Sequence, residues 1–212
     1  MTEELIDRLS GDLAPARKGV VAARLALALV VGGTVSLAGI VLILGLRPDM
    51  AKAMASQMFW MKLAYAGAYA AVGVLCVERV ARPAGSPGRR LRWLAAPLIA
   101  IAVAAVLQLT RTPAPELRHL VMGHSAMVCP WIIAATSAPL LIALVWAVRG
   151  LAPTRLPLAG ALIGLTAGGF GALIYCLHCP EVGAPFVAIW YSLGILAPTV
   201  VGALAGPRVL RW

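Results

Sequence analysis

Charge is scarce in this chain: of its 212 residues only 12% are Asp, Glu, Lys or Arg, while 61% are apolar. Soluble domains carry about 25% charged residues, so an ordinary water-facing fold is excluded. Regular alternation of apolar and polar residues over about ten positions, the mark of a transmembrane barrel strand, is also missing, which excludes that route across a bilayer. Catalytic patterns are absent too. No Ser-His-Asp set, no paired catalytic carboxylates, no phosphate-binding glycine loop and no His-Glu-x-x-His run occurs, so hydrolase chemistry is not expected, and the chain does not read as an enzyme. No internal repeat and no inverted half is visible, so the sequence gives no support to a repeat-built secondary transporter.

Long apolar runs are what the chain does have. A helix needs about 20 apolar residues to cross the hydrocarbon core. Six such stretches occur, at about 22–46, 59–77, 93–109, 128–148, 156–177 and 186–205, the third being the shortest. The expected fold is therefore all-α: a polytopic membrane protein with six transmembrane helices over 22–206. A partner-binding segment over 1–21 precedes it and a tail over 207–212 follows. No charge falls in the middle of a span, because Lys62, Glu78 and Arg92 all lie at predicted helix ends. Neither a proton relay nor a gating charge is therefore expected.

Counting Lys and Arg orients the bundle. With the amino terminus inside, 13 fall on the cytoplasmic side: Arg8, Arg17, Lys18, Arg24, Arg79, Arg82, Arg89, Arg90, Arg92, Arg149, Arg155, Arg208 and Arg211. Five remain outside: Arg47, Lys52, Lys62, Arg111 and Arg118. The positive-inside rule thus places both termini in the cytoplasm. The net charge of +10 is explained by anionic lipid headgroups at the span boundaries, and direct nucleic-acid binding is not expected. The segment Arg82 to Arg92, rich in Pro, Gly and Arg, reads as a loop.

Residues 2–14 place Leu5, Ile6, Leu9 and Leu13 at helical spacing, with Glu3, Glu4 and Asp7 on other faces. This is a short amphipathic helix with Thr2 as its cap. Helices lying on membrane surfaces are rich in Lys and Arg. This one is net acidic, which favours a groove on a protein partner over the bilayer surface. In the fifth span, Gly160, Gly164, Gly168 and Ala172 recur every four residues and form a small-residue seam for a neighbouring helix. Pro139 and Pro198 interrupt the fourth and sixth spans.

All three histidines, His119, His124 and His178, and two cysteines, Cys129 and Cys179, fall near the outer face. In a Gram-negative host that face meets an oxidising periplasm, where cysteine pairs form and persist. Cys176 and Cys179 have C-x-x-C spacing around His178, a weak signal when single. Three readings stay open: a disulfide or thiol pair of Cys129 with Cys179; a metal site drawing on Cys129, Cys179 and His178 with Cys176, His124 or Glu181 as auxiliaries; and plain buried small residues. Cys76, near the inner end of the second span, reads as packing. The histidines share one surface and none lies mid-helix, which argues against haem, and no cofactor is expected.

The chain resembles the NrsF-type anti-sigma factors, a family of six-helix bacterial inner-membrane proteins. The likeness is carried by Glu4-Leu-Ile-Asp-Arg-Leu-Ser-Gly-Asp-Leu13 with Pro15, by Leu46-Arg-Pro-Asp-Met50 and by Cys129. It continues through Leu177-His-Cys-Pro-Glu181, Phe186, Trp190-Tyr191 and Arg208-Val-Leu-Arg-Trp212. The resemblance implies a regulator that holds an extracytoplasmic-function sigma factor at the inner membrane through Leu5, Ile6, Leu9, Asp12 and Leu13. It also implies release of that factor on periplasmic stress, such as heavy metal, through Cys129 and Cys179. Cys176 is not part of the family's pattern. A change in the Cys129 to Cys179 linkage is expected to shift helices four and five along the small-residue seam. The alternatives are a membrane thiol-disulfide oxidoreductase and a small-solute or metal transporter.

Overall fold

The computed structural model describes residues 19–82 and 84–211, and the amphipathic segment at 2–14 lies outside them. The described residues form helices joined by short loops. Six of the helices are long and apolar enough to cross a membrane: α1 (Val20–Leu44), α2 (Gln57–Val80), α3 (Gly88–Arg111), α4 (Cys129–Arg149), α5 (Leu156–Tyr175) and α6 (Ala184–Val209).

Local chemistry sets their ends. Gly45, at φ 77 and ψ 160, takes a positive-φ extended conformation open to glycine, and so ends α1. The Ser56 hydroxyl caps α2 by accepting from the Met58 amide at 3.3 Å. Pro130, Pro157 and Pro185 sit in the first turns of α4, α5 and α6, where a missing amide costs nothing. Pro139 lies inside α4, and Pro198 and Pro207 lie inside α6. Two π-helical turns, at Ile40–Leu44 in α1 and Val187–Tyr191 in α6, have no counterpart in the sequence reading.

The third span is longer than the sequence reading of 93–109. A 3-10 run over Gly88–Leu94 leads directly into Ala95–Arg111, giving 24 residues. The second half of the supposed loop from Arg82 to Arg92 is therefore helical. Pro87 already holds helical angles, Gly88 accepts φ +56, and the Arg90 guanidinium donates to the Leu75 carbonyl of α2 at 2.9 Å. These contacts pin a segment whose composition reads as turn.

α5 is the hub, with 67% of its apolar window buried against 11% for α3. It packs on α6, α2 and α4, and α1 packs on α4. The usual size order is inverted, with small residues inside and large ones outward. Leu42 and Ile43 of α1 and Trp131 and Trp146 of α4 face outward, each at least two-thirds exposed. At the α5 to α6 seam, a methyl group on Gly160 would fall on the Gly202 carbonyl, and one on Gly164 would fall on that of Pro198. Such backbone contact replaces the hydrophobic drive that lipid cannot supply. Gly169 faces Ala70 of α2, and Gly171 faces Ser137 of α4. The stripe of Gly160, Gly164 and Gly168 thus meets α6. The expectation that helices four and five slide along it is corrected, because α4 meets α5 on a different face.

One end of the bundle gathers the carboxyl ends of α1, α3 and α5 with the amino ends of α2, α4 and α6. Cys129, Cys176 and Cys179 lie there, while Cys76 is buried with Val77 and Leu144 toward the opposite end.

Candidate functional site

Three cysteines meet beneath the loop that joins α5 to α6. Cys129 opens α4. Cys176 caps α5, and the turns that follow it, with the Cys179 amide donating to the Tyr175 carbonyl at 3.0 Å, carry Cys179 back over the helix end. All three side chains are fully buried and all are free thiols. The Cys129 thiol lies beside that of Cys179. Cys129, helped by the charge of Lys62 and opposed by burial, holds the Cys179 thiol below the ordinary thiol range. Burial pushes the Cys176 thiol up instead. Of the C-x-x-C pair, Cys179 is therefore the thiol more readily ionised and Cys176 the less readily.

Charged side chains hold the loop in place. Lys62, expected at an outward-facing helix end, is completely buried. Its ammonium donates to the Cys179 carbonyl at 3.0 Å and the Glu181 carbonyl at 2.7 Å, and lies 5.7 Å from the centre of the Tyr191 ring, within cation–π range. Arg47 donates to the same Cys179 carbonyl at 3.2 Å and pairs with both carboxylate oxygens of Asp49, at 2.7 and 2.8 Å. The side-chain hydrogen bond from Arg47 holds the Asp49 carboxyl below its ordinary value. The Arg47 amide donates to the Leu177 carbonyl at 3.1 Å, and His178 Nδ1–H donates to the Gly45 carbonyl at 2.9 Å. Both the α1 to α2 connection and α2 itself therefore grip the loop that carries Cys179.

Glu181 ties the same loop to the α3 to α4 connection. Its Oε1 accepts from the His124 amide at 2.7 Å, the Ser125 amide at 3.2 Å and the Ser125 hydroxyl at 3.1 Å. Gly123, at φ +51, leaves the space that the carboxylate fills.

The structure brings Cys129, Cys176, Cys179, His178 and Glu181 into one region, with His124 at its edge. It does not gather them as metal ligands. Among the described residues no three His, Cys, Asp or Glu side chains are disposed to hold a metal ion. His178 turns its Nδ1 to the Gly45 carbonyl, and Glu181 serves the His124 turn as an acceptor. Leu5, Ile6, Leu9, Asp12 and Leu13 lie outside the described residues.

Sequence reasoning missed Lys62, although a signal was present. Lys62 stands three, four and seven residues before Tyr65, Ala66 and Tyr69, on the face that α2 buries. Lys62→Met should test its part. Cys179 O keeps its bond from Arg47, so Glu181 O alone loses its donor. Leaving one buried acceptor unpaired costs about 1–3 kcal/mol. The loop should loosen by roughly tenfold or more in its opening equilibrium, measured as faster alkylation of Cys179 by a small thiol reagent, with Cys76 unchanged as internal control.

The family model described as "Negative regulator of sigma F" matches residues 9–212. The anti-sigma-F factor NrsF of Caulobacter vibrioides is 41% identical over 214 residues, covering 100% of this chain and 99% of that protein. The probable anti-sigma-F factor NrsF of Azospira oryzae is 36% identical over 215 residues, with the same coverage. No solved structure matches the chain. The chain belongs to the NrsF family of negative regulators of sigma F.

Proposed function

We propose that this protein is an anti-sigma factor of the bacterial inner membrane. Its segment over residues 2–14 holds an extracytoplasmic-function sigma factor on the cytoplasmic side, and periplasmic stress, heavy metal included, acts through Cys129 and Cys179 to release it. The observation that carries the reading is the full-length similarity to two anti-sigma-F factors. Three further features support it. An even number of helices of spanning length favours the two ends of the bundle lying on one side of the membrane. The distribution of Lys and Arg favours the cytoplasm for that side. The Cys179 thiol is held below its ordinary range, and it sits on a loop gripped by three parts of the fold. Leu5, Ile6, Leu9, Asp12 and Leu13 are the proposed contacts with the sigma factor.

Co-expression with the extracytoplasmic-function sigma factor encoded nearest to the chain tests this reading. The intact protein, purified in detergent, is expected to bring the sigma factor with it, and the form lacking residues 2–14 is expected to lose it. Capture by neither form would overturn the proposal and favour thiol-disulfide oxidoreductase activity at Cys129 and Cys179.

A further inference from the structure

The connection between α3 and α4 carries a second constellation that the thiol site does not use. His119 lies in the short helix Leu117–Met122, which Gly123 ends at φ 51. The reversal lays His124 back against His119. Their rings meet edge to face with centroids 4.7 Å apart, and the two Nε2 atoms lie 3.0 Å from each other. Both histidines are exposed and line a cavity of about 450 Å³, whose other lining residues include Met122, Met127 and Arg118.

Two imidazole nitrogens at this separation can share a hydrogen bond, or can bind one cation as adjacent ligands. The lining decides which cation. Thioethers select Cu(I) among biological metals, and imidazole suits copper and zinc alike, so copper satisfies both ligand types. No carboxylate lines the cavity, and Arg118 adds a positive charge. The Glu181 carboxylate behind Gly123 is already taken up by the amides of His124 and Ser125 and the Ser125 hydroxyl, so the lining itself offers a cation only neutral ligands, which a monovalent soft ion tolerates better than a divalent one. We propose that His119 and His124 bind Cu(I) through their Nε2 atoms, with the thioethers of Met122 and Met127 completing the site. Binding requires both rings to carry their proton on Nδ1, so the hydrogen bond between the rings gives way to the metal.

The site does not depend on the anti-sigma reading, but its consequence does. The His124 amide donates to Glu181 at 2.7 Å, and the Glu181 carbonyl accepts from Lys62. Closure of the two histidines on a metal therefore pulls on the loop that carries Cys179.

Purified full-length protein in detergent, titrated with Cu(I) against a chromophoric chelator under reducing conditions, tests the assignment without any sigma factor. The natural protein and the variant Cys129→Ser with Cys179→Ser are expected each to retain one equivalent of Cu(I) that His119→Ala with His124→Ala loses. Met122→Leu with Met127→Leu should weaken Cu(I) by at least tenfold, the loss expected even for residues outside the first shell of a metal, and leave Zn²⁺ unchanged. Copper-edge X-ray absorption of the cysteine variant should show nitrogen and sulfur together. Full Cu(I) uptake by the histidine variant made in the Cys129→Ser with Cys179→Ser background would overturn the proposal, as would a copper shell without nitrogen. Indifference of the methionine variant would remove the thioethers, and with them the Cu(I) assignment. Size-exclusion profiles matching the natural protein are required of every variant, and Met122→Leu alone serves as a milder replacement for any that aggregates.

Discussion

Gly164→Leu should prevent the six-helix bundle from assembling. Gly164 sits where α5 and α6 touch backbone to backbone, and even a methyl group there would coincide with the Pro198 carbonyl. A flexible side chain could move aside, but a helix backbone cannot. Overpacking a core commonly costs about 1–3 kcal/mol. Here the cost is larger, because separating α5 from α6 forfeits the whole seam, including Gly160 on Gly202 and Gly206 on Leu156. Lipid offers no hydrophobic compensation, since bundles in membranes are held by close packing and interhelical hydrogen bonds. The expected result is aggregated or degraded protein by fluorescence-detected size exclusion. Gly33→Ala in α1 is the control. Nothing lies within 4 Å of the position a methyl group would take there, and Ala in a helix interior gains about 0.5–1 kcal/mol over Gly. That variant should elute as the natural protein does. A well-folded Gly164→Leu would mean that α5 and α6 do not meet at this face.

Cys179→Ser should leave the protein folded, still repressing its sigma factor and deaf to stress. The substitution changes one buried atom, and the backbone grip of Lys62 and Arg47 on residue 179 is untouched, because both donate to its carbonyl. What disappears is the thiol held below its ordinary range by Cys129. Serine has neither the acidity nor the softness of a thiol, so metal or oxidant finds no purchase. A sigma-dependent reporter should lose all induction by heavy metal in Cys179→Ser and in Cys129→Ser. Cys176→Ser and Cys76→Ser should respond as the natural protein does. Full induction in a Cys129→Ser with Cys179→Ser double variant would sink the cysteine-sensing scheme. Because the readout is a change in induction and not basal capture, it separates failure of sensing from failure of sigma binding.

Much of this architecture was legible in the residues. The six spans could be read because crossing a bilayer demands length and apolarity together, and little else in a chain satisfies both. Boundaries were less legible. The third span begins at Gly88, five residues ahead of the apolar run, because Arg90 reaches back to the carbonyl of Leu75, a contact that no local pattern announces. The Gly160, Gly164 and Gly168 stripe announced a seam but not its partner, since small residues on one helix say nothing about which helix approaches. α6 is that partner, through Gly202 and Gly206. The site was read in halves. Cys129 and Cys179 were found by their place along the chain. Lys62 was filed with the surface because a single lysine near a helix end usually seeks water, whereas here two backbone carbonyls satisfy it in the interior.

The unequal lengths of the helices bear on how the bundle stands in its bilayer. At about 1.5 Å per residue, the 20 residues of α5 rise about 30 Å, close to the thickness of the hydrocarbon layer. The 25 residues of α1 and the 26 of α6 are too long to stand upright beside it and must lean. Each of these two has a π-helical turn at the end where the cysteines lie, and that of α6 includes Tyr191. A thinner or thicker membrane would alter this lean first. Bilayer thickness thus bears on how α1 and α6 lean, and through α6 on the region where Tyr191 meets Lys62.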